Sequence, residues 1–222
     1  MQKIKTLFKT SYPSGLATNE PQDGSEWVFR GEGTATLKRD GSSCLIKNGI
    51  LYKRVNRKLS KKSAAIVKRS KDPSTLNITE SDFKDVRENS ISCNETFDPI
   101  TFHWPYWVQV SEKNHDDLIH IAAFALLDEI VDGSYEICGP KFQGNPYNLD
   151  NNILIKHGSE ILDIEDRSFE GLKRFLKDFN GEGIVFHHEN GSMFKIRKKD
   201  MFLFKNVPEN RRAEWTDEID LD

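Results

Sequence analysis

The stretch TATLKRDGSSCLIKNGILYKRV occupies residues 34–55 and decides the fold prediction. Its second half contains two short apolar runs that are separated by Asn48-Gly49. Both residues of an Asn-Gly pair tolerate a positive φ, and such a pair between apolar runs is the strongest short signal for a β-hairpin. We therefore expect residues 34–55 to form β structure, with a hairpin that turns at Asn48-Gly49.

Two later segments have the apolar spacing of three and four residues that is typical of an amphipathic helix. In the first, which we expect to end near Gly133, the apolar residues are Leu118, Ile121, Ala122, Ala125, Leu126 and Ile130. The second follows Ser168, a residue type that is favoured as a helix N-cap. Its apolar residues are Phe169, Leu172, Phe175, Leu176 and Phe179.

Further strands are predicted at residues 106–110 and 134–138, and a last hairpin at residues 183–188 and 193–199. Strands and helices do not alternate regularly, so the predicted class is α+β with a mainly antiparallel sheet. The last hairpin has two possible registers. A two-residue turn pairs Phe186 with Lys195, whereas a three-residue turn pairs Val185 with Lys195, and the choice exchanges the two faces of the strand.

The composition is that of a globular protein, with 36% hydrophobic and 30% charged residues among 222. No apolar run reaches the roughly 20 residues of a membrane span. The three cysteines have neither the spacing of a zinc site nor the even number of a disulfide framework. We expect a soluble, cytoplasmic, monomeric protein with one domain over residues 1–222, to which the charged last twenty residues add no further domain.

Chemically suggestive residues follow one another along the chain in a definite order. They are Lys38-Arg39-Asp40-Gly41, Arg54, Glu136 within a predicted strand, Glu182-Gly183 at the start of the last hairpin, and Lys195 in its second strand. Each feature alone also fits a surface turn or a solvent-facing charge. The order Lys-x-Asp-Gly, Arg, Glu, Glu-Gly, Lys makes coincidence a poor explanation and indicates a common site.

That order resembles the motifs of the covalent nucleotidyltransferases, which include DNA ligases, RNA ligases and messenger-RNA capping enzymes. Residues 38–41 resemble motif I of that superfamily, Arg54 motif Ia, Glu136 motif III, residues 182–186 motif IV and Lys195 motif V. Motif V departs from the usual Lys-x-Lys, because the chain reads Lys195-Ile196-Arg197-Lys198. Either Arg197 or Lys198 could therefore supply its second cation.

Within the superfamily, the chain most resembles a small 5′–3′ RNA ligase family that has a vertebrate member. The segments that carry this resemblance are Gln143-Gly144-Asn145-Pro146-Tyr147, Leu154-Ile155-Lys156-His157-Gly158, Glu182-Gly183-Ile184-Val185 and Arg54-Val55-Asn56-Arg57-Lys58. Residues after 200 are too few for the accessory OB-type domain of DNA ligases and capping enzymes, which favours an RNA ligase. The alternatives are a minimal DNA ligase, a capping-type enzyme and an inactive RNA-binding relative.

The resemblance implies a nucleotidyltransferase domain of the ATP-grasp-like ligase type, in which mainly antiparallel sheets flank a nucleotide cleft and helices lie at the periphery. It also implies ATP and Mg²⁺ or Mn²⁺ as cofactors. The substrate would be RNA with a 5′-phosphate end and a 3′-hydroxyl end. These ends would be joined through AMP bound covalently to Lys38 and then through a 5′-adenylated RNA.

The resemblance assigns roles to individual residues. The expected catalytic residues are Lys38, Asp40, Arg54, Glu136, Glu182 and Lys195. The expected nucleotide contacts are Thr36, Leu37, Lys38, Gly41, Arg54, Glu136, Val185, Lys195, Arg197 and Lys198, and the expected metal ligands are Glu182 and Glu136. Gln143 and His157 belong to family-like segments, but no role follows for them.

The chemistry explains why such residue types suit the reaction. A lysine attacks phosphorus only as the neutral amine, and a free lysine, with a pKa of about 10.4, is almost wholly protonated at neutral pH. Neighbouring cations disfavour the ammonium form. Arg54, Lys195 and a bound divalent cation would supply that field and would stabilise the charge of the transition state.

Residues 53–71 are rich in lysine and arginine and contain no acidic residue. The segment is either a solvated helix face or loop, or a surface that contacts phosphates. Its candidate RNA contacts are Arg57, Lys58, Lys61, Lys62, Lys68 and Arg69. Trp104, Tyr106 and Trp107 could stack on bases, but a place in the hydrophobic core is the more common role of such residues.

Overall fold

The computed structural model describes residues 4–12, 14–204 and 215–216, and the chain divides into two compact units. Among the described residues, the first unit comprises residues 41–156. The second comprises residues 4–40 together with those beyond residue 156. The charged last twenty residues, to which we assigned no further domain, lie almost entirely outside the described residues. The single nucleotidyltransferase domain stays a prediction.

The strands, in chain order, are β1 Lys5–Thr6, β2 Phe8–Thr10, β3 Ala17–Pro21, β4 Thr34–Lys38, β5 Ser42–Lys47, β6 Ile50–Arg57, β7 Ile91–Ser92, β8 Trp104–Gln109, β9 Gly133–Cys138, β10 Ile153–Lys156, β11 Gly183–His187, β12 Met193–Arg197, β13 Leu203–Phe204 and β14 Trp215–Thr216. The α-helices are α1 Glu26–Phe29, α2 Lys61–Arg69, α3 Leu118–Phe124, α4 Phe169–Asp178 and α5 Lys198–Met201. Short 3-10 turns occupy Pro73–Thr75, Glu80–Asp82 and His115–Asp117.

A six-stranded sheet forms the centre of the first unit, in the order β10-β9-β5-β6-β8-β7. Every neighbouring pair in it is antiparallel. Asn48 and Gly49 join β5 to β6 with φ values of 52° and 71°, the left-handed conformation that a tight hairpin turn requires. The predicted hairpin is therefore confirmed.

One face of this sheet carries the core of the first unit. Near β8 the core contains Trp104, Tyr106 and Val108, which pack with Phe83 and Phe102. Trp104 and Tyr106 are thus core residues, and Trp107 is also buried. These three rings are therefore not exposed as stacking platforms for bases, which confirms the core role and removes the support that they gave to an RNA-binding module.

The first predicted helix is shorter than expected and buries another face. α3 ends at Phe124 instead of near Gly133, and Leu118, Leu126 and Ile130 are 45%, 58% and 53% exposed. The residues that face the core are Ile119, His120, Ala123, Phe124 and Leu127. Two adjacent apolar rows run along this segment, and the prediction took the wrong one.

A four-stranded sheet lies in the second unit, in the order β1-β12-β11-β4. Its β11–β12 pair is antiparallel and matches Val185 with Lys195. His188 N–H donates to the Ser192 carbonyl, and Gly191 N–H donates to the His188 carbonyl, at 2.9 Å each. These bonds close a three-residue turn, so the second of the two predicted registers is the observed one.

The second unit has its own core beneath this sheet. Ser168 caps α4 by accepting a hydrogen bond from Gly171 N–H, as predicted. Leu172 and Leu176 of α4 are fully buried, and the other apolar residues of its predicted row pack against the same core. The protein is thus an α+β protein with mostly antiparallel sheets. Among the described residues, no helix combines the length and the apolar character that crossing a membrane requires.

Candidate functional site

The sheet of the second unit has one apolar face and one face that carries polar side chains. Successive side chains along a strand point to opposite faces. On β11, Ile184 and Phe186 are fully buried in the core. Gly183, Val185 and His187 therefore belong to the opposite face, which we call the polar face.

Two rows of directly opposed residues extend this face across three strands. Lys38 of β4 and Arg197 of β12 both lie opposite Gly183. In the next row, Thr36 and Lys195 both lie opposite Val185. Because directly opposed residues point to the same side of a sheet, Lys38, Thr36, Lys195 and Arg197 share the polar face.

Lys38 and Glu182 form an ion pair on this face. Glu182 immediately precedes Gly183, the residue opposite Lys38, and lies just outside β11, which places its backbone close to Lys38. The side chains are 24% and 17% exposed. The sequence predicted that cations surround the nucleophile. The structure adds a carboxylate in direct contact with the amine.

Gly183 is needed at this point because the backbone is crowded. A Cβ at this position would press on the Ile196 carbonyl oxygen and come within 2.7 Å of Arg197 Cα. No other residue type would fit without displacing β12. The glycine of the Glu-Gly pair therefore keeps β11 close to the strand that carries Lys195 and Arg197.

The pKa of Lys195 is unusually low for a lysine. Burial lowers its pKa to about 8, and the positive charges of Arg197 and Lys38 add to the effect. Such a lysine exchanges its proton close to physiological pH, whereas an ordinary lysine stays charged. The lowered pKa makes this position sensitive to any anion, because a bound phosphate would favour the charged form.

Arg197, and not Lys198, continues the polar face beyond Lys195, because two residues separate side chains on the same side of a strand. Its guanidinium donates to both carboxylate oxygens of Asp200, at 2.9 and 2.6 Å. This contact raises the pKa of Arg197. Lys198 begins α5, and its backbone N–H donates to the Glu182 carbonyl at 3.0 Å.

Thr36 and Leu37, the predicted nucleotide contacts before Lys38, already have partners. The Leu37 N–H donates to the Glu160 carbonyl at 2.9 Å. Thr36 is 2% exposed, and its hydroxyl contacts the Val185 carbonyl at 3.2 Å and His187 Nε2 at 2.9 Å. The Leu37 N–H is therefore not available to a base in this conformation.

In the first unit, Glu136 holds Gly41, the last residue of the Lys-x-Asp-Gly motif, and Ser43 of β5. Its Oε1 accepts from Gly41 N–H and its Oε2 from the Ser43 hydroxyl, both at 3.1 Å. Gln143 donates to the Gly41 carbonyl at 3.2 Å. Both peptide groups of Gly41 are thus fixed, which gives Gln143 a role that the sequence did not reveal.

Close packing requires a glycine at the last position of the Lys-x-Asp-Gly motif. A Cβ on Gly41 would come within 3.0 Å of Glu136 Cγ and 2.9 Å of Cys138 Sγ, and would press on the Ile137 carbonyl oxygen. Asp40, just before it, lies partly buried in the connection between β4 and β5. Gly41 thus lets this connection approach β9 closely enough for the Glu136 hydrogen bond.

Arg54 lies opposite Trp107 in the β6–β8 ladder. The alternation along β6 sets it apart from Lys53, which pairs with the buried Asp117 at 2.6 Å. Since Lys53 lies opposite Cys44 of the core, Arg54 belongs to the other face of the six-stranded sheet, with Ser43 and Glu136. Its guanidinium makes no ion pair with the described residues.

The described part of the chain contains no group of three or more His, Cys, Asp or Glu side chains that could hold a metal ion. Glu182 lies in the second unit and Glu136 in the first. Mg²⁺ is usually bound by one or two carboxylates together with waters and substrate phosphates. A single carboxylate such as Glu182 fits that kind of site, and does not fit a cage built from protein ligands alone.

Of the six predicted RNA contacts, five are exposed, and the sixth is held by contacts within the protein. The exposed set consists of Lys58, Lys61, Lys62, Lys68 and Arg69. Lys61–Arg69 is helix α2, whose Ser63 is buried while the cations face outward. These side chains form the basic surface of the first unit.

Arg57 differs from that set. Its side chain is 9% exposed, and it donates to Glu80 at 2.8 Å and to the Lys84 carbonyl at 2.7 Å. Its guanidinium also lies over the Trp104 ring, 4.7 Å from the centroid. This arrangement argues against Arg57 as a contact for RNA, because Nε, Nη1 and one flat face of the guanidinium are already occupied.

Sequence reasoning assigned no role to four residues that shape these sites, namely Ser43, Gln143, His187 and Asp200. Each acts through a hydrogen bond to a residue that the sequence did single out. Asp200 has a local signal, because it follows Arg197 by three residues; the partners of Gln143 and His187 are distant in sequence. Neither the models of known protein families nor the curated proteins gave a match to the chain.

Proposed function

We propose that the protein is an ATP-dependent RNA ligase that attaches AMP covalently to Lys38. One observation carries the proposal: Lys38 is ion-paired with Glu182 on a sheet face that also holds Lys195 and Arg197. A nucleophilic amine, a carboxylate suited to a hard cation and two cations for phosphate are the groups that nucleotide transfer to a lysine needs. The order of motifs along the chain supports the same assignment.

The first step requires that Lys38 loses a proton and attacks the α-phosphorus of ATP. The N–P bond forms while the bond from the α-phosphorus to the bridging oxygen breaks, and pyrophosphate leaves with the electron pair. Lys195, and Arg197 in spite of its Asp200 partner, would stabilise the charge on the phosphate oxygens. Since burial, and then the neighbouring cations, lower the pKa of Lys195, binding the triphosphate would favour its protonated form.

Glu182 would hold a divalent cation together with the phosphates of ATP. When bound, that cation would neutralise phosphate charge and polarise the phosphorus centre. Its arrival would also engage the carboxylate that now contacts Lys38, and the amine would lose its ion-pair partner. Glu136 as a second metal ligand stays a prediction. Both of its carboxylate oxygens already accept hydrogen bonds, from Gly41 and from Ser43.

Two further steps would complete the reaction. A 5′-phosphate oxygen of RNA attacks the phosphorus of the lysyl-AMP, the N–P bond breaks, and the Lys38 nitrogen takes up a proton. An RNA 3′-hydroxyl then attacks the 5′-phosphate phosphorus and loses its proton, the phosphodiester bond forms, and AMP leaves. Balanced in this way, each round consumes one ATP and yields one joined RNA, AMP and pyrophosphate.

The basic surface around α2 is the candidate site for the RNA strand. Its exposed cations suit a sequence-independent contact with the phosphate backbone, and such contacts weaken steeply as salt rises. The proposal includes a monomeric protein in the cytoplasm. The three cysteines are free, which fits a reducing compartment.

The decisive experiment is intact-mass spectrometry of the protein after incubation with ATP and Mg²⁺. The expected result is a mass gain of one AMP per chain that acid removes and that Lys38→Ala abolishes. Lys199→Ala is the matched control, because Lys199 is an exposed lysine of the same unit. A label that persists in Lys38→Ala would overturn the assignment of the nucleophile.

Substrate comparisons then separate the proposal from its alternatives. A ligase for RNA joins single-stranded RNA ends faster than it seals nicked DNA, and it takes AMP from ATP in preference to GMP from GTP. The reverse preferences would indicate a DNA ligase or a capping-type enzyme. Stoichiometric RNA binding without any transfer of AMP would indicate an inactive relative and would contradict the proposal.

A further inference from the structure

A short hydrogen-bond chain crosses the polar face of the second unit, two residues from Lys38 on β4. His187 Nε2 lies 2.9 Å from the Thr36 hydroxyl oxygen, and that oxygen lies 3.2 Å from the Val185 carbonyl oxygen. Thr36 is almost fully buried, whereas the His187 imidazole is only half-buried. The chain therefore runs from the strand backbone to an imidazole with an accessible edge.

The tautomer of His187 follows from which acceptor receives the proton of the Thr36 hydroxyl. A hydroxyl has a single proton to donate. If the Thr36 hydroxyl donates to the Val185 carbonyl, its contact with His187 requires that Nε2 carries a hydrogen and donates. Burial, and then the neighbouring His157, lowers the pKa of His187, so the ring is neutral near pH 7. Nδ1 is then a bare hydrogen-bond acceptor.

The position of His187 along β11 matches one end of a nucleotide whose phosphate is on Lys38. Lys38 lies opposite Gly183, and His187 is four residues further along β11. Four residues of a strand span roughly 13 Å, which is comparable with the length of an extended nucleoside monophosphate. Val185 lies between them on the same face and is buried.

We propose that His187 is a specificity-determining residue that accepts a hydrogen bond from the 6-amino group of adenine, with Thr36 as the positioning residue that fixes its tautomer. The inference rests on the proposed function. An acceptor at this place favours adenine, which presents an amino donor at position 6, over guanine, which presents a carbonyl oxygen there. Two acceptors that face one another would leave both without a partner, which costs more than a missing contact.

The test compares three nucleotides in the labelling reaction of the full-length protein. They are ATP, inosine triphosphate with a 6-oxo group, and purine riboside triphosphate with no group at position 6. The wild-type protein should use ATP about tenfold more efficiently than purine riboside triphosphate, as one net hydrogen bond predicts. His187→Ala should abolish that ratio by raising the KM for ATP more than the KM for purine riboside triphosphate.

Three more variants separate recognition from folding. His187→Gln offers a carbonyl acceptor and should restore part of the preference for ATP. His188→Ala removes the neighbouring imidazole, which points to the other side of the chain and contacts Trp27, and it should keep the full preference. Thr36→Val removes the hydroxyl that orients His187, and it should weaken the preference without abolishing labelling by purine riboside triphosphate.

The outcomes distinguish this inference from the function on which it rests. If the wild-type protein uses ATP and purine riboside triphosphate equally well, or if His187→Ala keeps the preference for ATP, the inference is overturned and the lysyl-nucleotide reaction stands. If no nucleotide labels the wild-type protein, the proposed function itself fails. A loss of preference in His187→Ala that His187→Gln partly reverses supports the inference.

Discussion

Lys38 and Glu182 are 144 positions apart in the sequence and form an ion pair in the fold. The pair joins the end of β4 to the residue just before β11, and it lies beside the ladder position where Lys38 faces Gly183. In the proposed reaction each partner has another task, since the amine attacks phosphorus and the carboxylate binds a cation. In the proposed reaction, the ion pair is therefore the arrangement before substrate binds, and it must break when ATP and the cation arrive.

Glu182→Gln tests that arrangement. The amide has nearly the same shape as the carboxylate but carries no negative charge with which to bind a divalent cation. AMP labelling should therefore fall on the order of 10²-fold or more. The rate is measured by intact mass at several Mg²⁺ concentrations. Glu189→Gln, which changes an exposed turn residue in the same hairpin, should leave the rate unchanged. A Glu182→Gln protein with normal labelling would contradict the assigned role of the carboxylate.

The pKa of Lys195 predicts how labelling depends on pH. Because the pKa is lowered to about 8, the free protein loses this positive charge as the pH rises through 8. The pH profile of kcat/KM, which reports the free protein, should therefore have a falling limb with an apparent pKa near 8. Lys195→Arg keeps its charge and should lack that limb, whereas Lys195→Ala should be slow at every pH.

Stability should change with pH in the opposite direction from activity, so far as Lys195 is concerned. An unfolded lysine keeps its proton up to about pH 10.5, the unshifted value, whereas the folded protein releases it near pH 8. Between these values the unfolded chain binds more protons, and stability rises with pH through that window. Urea unfolding at pH 7.5 and 9.5, with Lys195→Arg as the reference, measures this contribution. A parallel fall of activity and stability would indicate that unfolding, not the charge, causes the limb.

The parts of the fold that the sequence predicted are those with strong local causes. Asn48-Gly49 dictates its turn through backbone conformation alone, and Ser168 caps α4 through a hydrogen bond to a residue three positions away. The helix at Leu118 was misjudged because two apolar rows compete there, and only the packing of β9 and β10 against it selects one. Local sequence contains no information about that choice.

The candidate site was predicted residue by residue, but not its contacts. The register that matches Val185 with Lys195 was one of two possibilities, and the turn that closes at Ser192 decides it. The pairing of Arg197 with Asp200, and of Glu136 with Gly41, depends on how closely strands approach. Such approach is a property of the assembled sheet, so sequence patterns alone do not reveal it.

Glu136 should prove to be an anchor for the chain after Lys38. Glu136→Ala leaves the Gly41 N–H without its acceptor, which should lower the free energy of unfolding by about 1–3 kcal/mol. Glu136→Gln keeps one carbonyl oxygen and should lose less. Urea unfolding of both variants measures the difference. Equal stabilities in the two variants would show that the hydrogen bond to Gly41 contributes little to the free energy of unfolding. Only the predicted catalytic role would then be left for Glu136.

The basic surface around α2 should affect RNA and leave nucleotide transfer unchanged. Replacing Lys61 and Lys62 by Gln should weaken binding of single-stranded RNA and reduce the slope of log affinity against log salt by roughly 0.7 for each RNA phosphate that the variant no longer neutralises. Labelling by ATP should not change. Lys113 and Lys141, two exposed lysines of the same unit, give a control with the same change of charge. An equal loss of RNA binding in the control pair would show that net charge, and not the position of Lys61 and Lys62, determines the affinity for RNA.

Arg57 and Lys58 are neighbours in sequence, and their substitutions should have opposite consequences. Arg57→Ala removes the contacts with Glu80, the Lys84 carbonyl and the Trp104 ring, which should destabilise the protein by about 1–3 kcal/mol. Lys58→Ala removes an exposed cation and should leave stability unchanged while it weakens RNA binding. Thermal unfolding and a salt titration of RNA affinity, measured on both variants, complete the comparison. If Arg57→Ala left the unfolding temperature unchanged and weakened RNA binding instead, its guanidinium would be a phosphate contact after all, because an arginine that holds the aromatic core together cannot be removed without destabilising the fold.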